Sequence, residues 1–506
     1  MAKVGDTNDA DSHIPKYKHP NMILWMMGFS IVLVLYVHTS LTPALPSMVT
    51  EFNVDYSLVT WTLTAYLVSG AAVTIVIGRL ADLYGAKKML LIVFICYTVG
   101  VILAPLAHEF YTLIGLRILQ GIAVALVPIC IRIAREVFGE KKIPMAQGVI
   151  LSMYQGGSAV GLVLGAAVVA IGGWEGVFIS AIPFSLILLF LLWKFIPKIG
   201  TPAVSNNEKG ASDGKVKKPK FTELVDIPGL ITLILTISSF MLTFTFLGMG
   251  PEGATKFWTF LVIAVASLAA FLIIEKRSKI PLVNLKLAFG KIVLIANMTF
   301  LMLGIIQYLI FTTIPTLGQT PEPYGLGMST ASVGLLQLPQ ALLFVILGPL
   351  VGLMAVKHGN VRFIVPGAII LTIGMFALLA FHGTPIQTAL VLLGFALGGI
   401  FITLVPNIML HFTPKEATGM VSATNATMRI IGGAIGPVIS GVFLSLFIVP
   451  AADIPGTTDP VPSAMAFNLV FLTGAILSFV TIILSIMMRR TAIKMGAESE
   501  RAKPKQ

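Results

Sequence analysis

Arg117 and His38 are basic side chains set in stretches otherwise too apolar for charge. Arg117 belongs to the run Leu113-x-x-x-Arg117-x-x-Gln120-Gly121, whose spacing of three puts Arg117 and Gln120 on one helix face. A guanidinium about a turn and a half inside a membrane helix is costly. Either it faces a polar cavity or an acceptor, or its head snorkels outward and anchors the helix. His38 is the one histidine of seven that lies well inside an apolar run. Imidazole exchanges protons near neutrality, so His38 is either a proton-coupling group or a structural residue near a helix end. The runs holding His38 and Arg117 should cross in opposite directions, which puts the two at similar depth. Tyr66, Gln307 and Tyr308 are polar candidates for the wall of a substrate cavity, and could equally be interhelical hydrogen-bond partners. Arg429 falls at the edge of its run and is given no role. None of the 22 Asp and Glu lies deep in an apolar run. No metal-spaced cluster or nucleophile motif occurs, so neither an enzyme nor a metal or other cofactor is expected.

A second cluster is the charged turn Gly78-Arg79-Leu80-Ala81-Asp82-Leu83-Tyr84-Gly85-Ala86-Lys87-Lys88, between the apolar runs Trp61–Ile77 and Met89–Leu106. Two membrane helices joined so tightly lie side by side and antiparallel, and Gly78 and Gly85 let their ends approach. Asp82 can pair with Arg79, Lys87 or Lys88, which makes the turn a candidate cytoplasmic gate rather than a binding site. Gly157, Gly161 and Gly165 recur at spacing four, and Gly432, Gly436 and Pro437 form a similar group. Such stripes are read as hinges or as packing seams.

The elements that position these residues follow from composition. The 506 residues are 56% hydrophobic and 11% charged, with a mean hydropathy of +0.94. No soluble domain of this length could hide so much apolar surface, so an all-α membrane protein with the bilayer as its solvent is expected. The net charge of +12 is scattered through loops and tails, which argues against nucleic acid as a partner. Cys96 and Cys130 lie in apolar runs and suggest no disulfide framework. The first apolar run has no convincing cleavage site after it and is read as a retained span.

Fourteen stretches are long enough to cross. With the N-terminus in the cytoplasm, 31 of the 34 Lys and Arg fall on that side, Lys256 alone falls on the other, and Arg117 and Arg429 lie within spans. That sorting supports an even count with both termini cytoplasmic. The five Trp sit near span ends, as in an interfacial belt. The turn recurs weakly as Gly352–Gly359, offset by 274 from Gly78–Gly85, and the stripe Gly157–Gly165 recurs at Gly432–Ser440. Two matches at nearly one spacing imply duplicated six-helix bundles related by a pseudo-two-fold axis, as in rocking transporters. The expected plan is a cytoplasmic tail (1–21), an N-terminal bundle (22–197), a linker (198–225), two inserted helices (226–275), a loop (276–290), a C-terminal bundle (291–488) and a basic tail (489–506).

The charged turn resembles the loop between the second and third spans of the major facilitator superfamily, with Gly78, Leu80, Ala81, Asp82, Gly85 and Lys87 matching. Trp61-x-x-Thr64-Ala65-Tyr66-Leu67, Asp226-x-x-Gly229 and Glu275-Lys276-Arg277 with Pro281-Leu282-Val283-Asn284-Leu285 resemble its fourteen-span drug:proton antiporter family. The resemblance implies the major facilitator fold and multidrug efflux. It also implies proton coupling through Arg117 and a hinge at the span-five stripe, although Leu162 replaces that motif's Pro. Another departure is Val37, which stands where the family's first span often carries Asp. The leading expectation is therefore a proton-driven exporter of amphipathic compounds in the cell membrane, monomeric, acting on a small molecule. Neutral, zwitterionic or anionic substrates are expected over dications, because Arg117 adds charge that no buried acid offsets. A facilitator or symporter for one metabolite is the alternative, and a non-transporting membrane protein is a remoter one.

Overall fold

In hydrocarbon every backbone N–H and C=O must bond within its own segment, and so apolar runs of this length fold as helices. The structure is a computed structural model that describes residues 19–138, 143–197, 226–278, 285–358, 360–402, 404–413, 418–450 and 460–501. The expected linker 198–225 lies outside the described residues. Among these residues, 11 helices are long and apolar enough to cross a membrane, and two shorter apolar helices, Thr330–Phe344 and Ile364–Ala380, accompany them.

The first half comprises α1 (Pro20–Ser40), α2 (Trp61–Tyr84), α3 (Ala86–Leu103), α4 (Phe110–Gly121), α5 (Leu126–Val137) and α6 (Ile143–Phe195). A 3-10 turn, Ile122–Ala125, joins α4 to α5. At 53 residues α6 is far longer than one crossing needs, and it breaks at Gly172 and Gly173. Gly173 has φ +63° and ψ −167°, a backbone that side chains with a Cβ rarely adopt. Next come α7 (Ile227–Gly248) and α8 (Ala254–Arg277). The second half is built from α9 (Lys291–Gln319), α10 (Thr330–His358), α11 (Ile364–Ala380), α12 (Pro385–Ile402), α13 (Thr418–Leu446) and α14 (Ala464–Arg501). The fold is not purely helical, because Ile448–Val449 pairs antiparallel with Val461–Pro462 between α13 and α14.

The most extensive packing pairs are α1 with α6 and α9 with α13. They are corresponding pairs in the two halves. Where the halves meet, Ser57 bonds Ser445 (3.1 Å), Thr64 donates to the Ala434 carbonyl (3.2 Å), and Gln319 donates to the Pro43 carbonyl (2.9 Å). Apart from Ala434, near the middle of α13, these residues sit at or near the ends of α1, α2, α9 and α13 that lie away from the chain termini, the distal end. The α7–α8 hairpin docks across this joint. Trp61 of α2 donates to Thr245 of α7 (2.8 Å), and α7 also packs on α13. On its other side α8 is largely uncovered.

Four sequence expectations change. The charged turn is mostly helix: α2 runs through Tyr84, and the chain reverses only at Gly85, with φ 95°. The basic tail is helical as far as Arg501, because α14 continues past Arg489 and Arg490. Arg429 lies about three turns into α13 instead of at its boundary. Trp174 is 2% exposed and donates to Glu51 (2.9 Å), while Trp61 is half-buried against Thr245; neither belongs to a lipid-facing belt.

Candidate functional site

Four helices of the first half converge on Arg117. Its side chain is 0% exposed, and each part of the guanidinium has an acceptor. Nε donates to the Thr62 carbonyl of α2 (2.7 Å), Nη1 to Oε1 of Gln120 (2.7 Å) and Nη2 to Nδ1 of His38 on α1 (2.8 Å). Gln120 in turn donates to the Gly100 carbonyl of α3 (2.8 Å). The Tyr66 ring lies 4.8 Å from the guanidinium carbon. Helix packing makes this convergence possible. A Cβ on Gly121 would collide with the Tyr66 carbonyl, so glycine there lets α4 lie directly against α2. All the compensation for the buried charge comes from neutral groups, and the planar fork of Arg suits three divergent acceptors.

His38 is 1% exposed and stacks on Tyr66, with ring centroids 4.3 Å apart. A ring nitrogen that accepts from a guanidinium carries no proton, so this geometry fixes the neutral ring with its proton on Nε2. A proton arriving at Nδ1 would break the bond to Arg117. The same ring lies 5.8 Å from Tyr308 of the second half, which makes His38 the link between the arginine cluster and the joint. Tyr308 also hydrogen-bonds Tyr154 of the first half. Beside these rings a small, mostly apolar recess is lined by Ile31, Val34, Tyr66, Val124, Val127 and Tyr154. The Tyr66 hydroxyl is buried and, among the described residues, has no hydrogen-bond partner.

In the second half Gln307 accepts from Arg429 (2.7 Å), and Asn425 donates to Asn297 (3.1 Å), both contacts joining α9 to α13. The glycine stripes face neighbouring helices: a Cβ on Gly157 or Gly161 would strike α1, one on Gly165 would strike Ser40, and ones on Gly432 and Gly436 would strike α9. Pro437 follows Gly436 inside α13. At the turn, Gly78 has open space around it, Gly85 caps α2, and Lys88 lies over the Tyr84 ring (5.6 Å). Lys87 begins α3, while the side chains of Arg79 and Asp82 lie outside what is described.

The sequence-chosen His38, Tyr66, Arg117, Gln120 and Tyr308 thus come together, and Gln307 joins a separate pair with Arg429. Arg429 was overlooked because the polar stretch Thr418–Asn425 does not look like a span. It is helical because groups such as Asn425 are satisfied by α9. Gln337 and Gln340 were also missed, although a pair of amides at spacing three in an apolar run was there to be read. Both are 1% exposed, and among the described residues their amide atoms have no partner. Asp226 and Glu275 are the buried carboxylates among the described residues, at the first turn of α7 and the last of α8, far from a mid-span position.

Comparison with known proteins agrees with this architecture. The family model described as Major Facilitator Superfamily matches residues 27–321 and 296–505. The riboflavin transporter RibZ of Clostridioides difficile is 24% identical over 88% of this chain and 92% of its own. The multidrug efflux pump LfrA of Mycolicibacterium smegmatis is 25% identical over 86% of this chain and 83% of its own. Among solved structures, a bacterial homolog of the human lysosomal transporter Spinster superposes with a TM-score of 0.64 at 15% identity, covering 94% of this chain and 98% of that one.

Proposed function

The chain belongs to the Major Facilitator Superfamily, a family of membrane transporters rather than enzymes, and on that premise we propose that it exports amphipathic compounds in exchange for protons. The carrying observation is the His38–Arg117 bond of 2.8 Å at the joint between the halves, where no carboxylate stands among the described residues. A proton-driven cycle needs a group whose protonation changes as the site opens and closes. Arg117 stays charged throughout, and His38 is the titratable partner that its guanidinium touches. In the proposed cycle, protonation of Nδ1 releases Arg117 from α1, and loss of that proton restores the bond. Rocking of the halves about the distal contacts would carry substrate past Tyr66 and Tyr308.

The kinship with LfrA supports export of drug-like compounds. We further place the protein in the fourteen-span antiporter group, as a monomer in the cell membrane with both termini cytoplasmic. The 11 long helices, the break in α6 and the two shorter apolar helices support that count. The kinship with RibZ favours the second reading, a carrier for one metabolite.

Liposomes with an imposed pH gradient and a substrate panel test the proposal. His38→Gln should abolish accumulation against a gradient and leave downhill exchange within about twofold of wild type. Concentrative uptake by the variant would remove His38 from coupling. Strict dependence on one metabolite would favour the second reading.

A further inference from the structure

We propose that Arg429 seats the anionic group of the substrate, so that the central site takes aromatic organic anions such as carboxylates. This rests on reading the space around Tyr308 as the substrate's route. Arg429 is half-buried inside a helix that crosses the membrane, and such a charge needs a partner. Among the described residues that partner is the neutral amide of Gln307 (2.7 Å), and no ion pair forms. A guanidinium carries five N–H donors, so one accepted bond leaves a fork able to take both oxygens of a carboxylate.

Arg117 is the internal contrast. It was the sequence's candidate for the cavity's positive charge, but complete burial and bonds from three of its five N–H donors tie it to the wall. Arg429 keeps exposure and donors. Its position also fits. One turn distal to it, a Cβ on Gly433 would meet Tyr308 and Leu67 of α2, so Arg429 lies just on the termini side of the point where the halves close. Arg429 bonds Gln307, the residue before Tyr308 in α9, and the Tyr308 ring lies 5.8 Å from that of His38. The half-buried Tyr154 offers ring surface, and the Tyr66 hydroxyl, which has no partner among the described residues, offers a donor to a second polar group of the ligand. An anion is favoured over a cation because Arg429 supplies a positive charge there, while the buried carboxylates among the described residues, Asp226 and Glu275, stand at the ends of α7 and α8.

The test is calorimetric binding of 2-naphthoate and its neutral counterpart 2-naphthamide to purified protein in detergent, without any gradient. Wild type should bind the carboxylate about tenfold more tightly, the discrimination that one charge-assisted pair supplies. Arg429→Gln should bring the two affinities within about twofold while leaving naphthamide unchanged. Equal affinities in wild type, or an undiminished preference in the variant, would overturn the proposal. If Arg429→Gln does not elute as a folded species, Arg429→Lys decides. Losing the planar fork should reduce the preference several-fold, and an unchanged preference refutes the bidentate seat. Because no pH gradient is involved, these results stand apart from whether transport is proton-coupled.

Discussion

Arg117 organises the first half by making bonds to groups on α1, α2 and its own helix α4, with α3 reached through Gln120. Lysine cannot reproduce that arrangement, since its ammonium is a compact point donor with no planar fork. Arg117→Lys should therefore leave at least one buried acceptor unmet and cost about 2 kcal/mol. The loss would appear as a lower unfolding midpoint in detergent, and an unchanged midpoint would mean the three bonds are not a structural unit. His38 and Arg117 were each legible in the sequence as unusual residues in apolar runs. Their direct bond was not, because depth along two helices says nothing about the rotation of either. Arg429 was misplaced for a related reason. Hydropathy scores a polar turn as loop, whereas a helix packed on another can hold Asn425 and Arg429 if the neighbour supplies Asn297 and Gln307.

Helix pairs, more than single helices, carry the fold. The α9–α13 seam depends on Gly436, where an added Cβ would lie 2.6 Å from the Ile305 carbonyl oxygen and 2.7 Å from the Leu309 nitrogen. Both are backbone atoms, so the helices would have to separate. Gly436→Ala should cost about 1–3 kcal/mol as overpacking. Gly78 is helical too, but nothing lies within 4 Å of its would-be Cβ. Gly78→Ala should instead gain about 0.5–1 kcal/mol from backbone entropy. Thermal unfolding of the two purified variants should therefore shift in opposite directions, and a shared direction would show that the seam is not tight. The stripe's spacing was visible in the sequence with two meanings, and the close contacts of Gly157, Gly161 and Gly165 with α1 make the packing meaning concrete.

At the scale of the whole molecule α6 packs on α10 and α2 on α13, and hydroxyls add contacts between the halves, with Ser57 and Ser445 at 3.1 Å and Thr64 on the Ala434 carbonyl. Hydroxyl contacts between small side chains can break and re-form at little cost, as a rocking joint requires. Ser57→Cys with Ser445→Cys, in a background where Cys96 and Cys130 are Ala, should form a disulfide on oxidation. Transport should then stop and return with reductant. Full transport by the oxidised, cross-linked protein would mean that the distal end does not open during the cycle. The α7–α8 hairpin spans the same joint through Trp61 and Thr245, so movement there must be shared by that hairpin.

The sequence by itself determined the solvent, the helical class and the short list of unusual polar residues. Each of those follows from the cost of exposing apolar surface to water or bare backbone to lipid, and that cost is local to a segment. Tertiary structure decided which polar groups satisfy one another. It enclosed Arg117, left donors on Arg429, drew Trp174 inward to Glu51 and brought His38 between Tyr66 and Tyr308. Those outcomes depend on the azimuth of each helix. Packing against a neighbour tens to hundreds of residues away sets that angle, and no single segment encodes it.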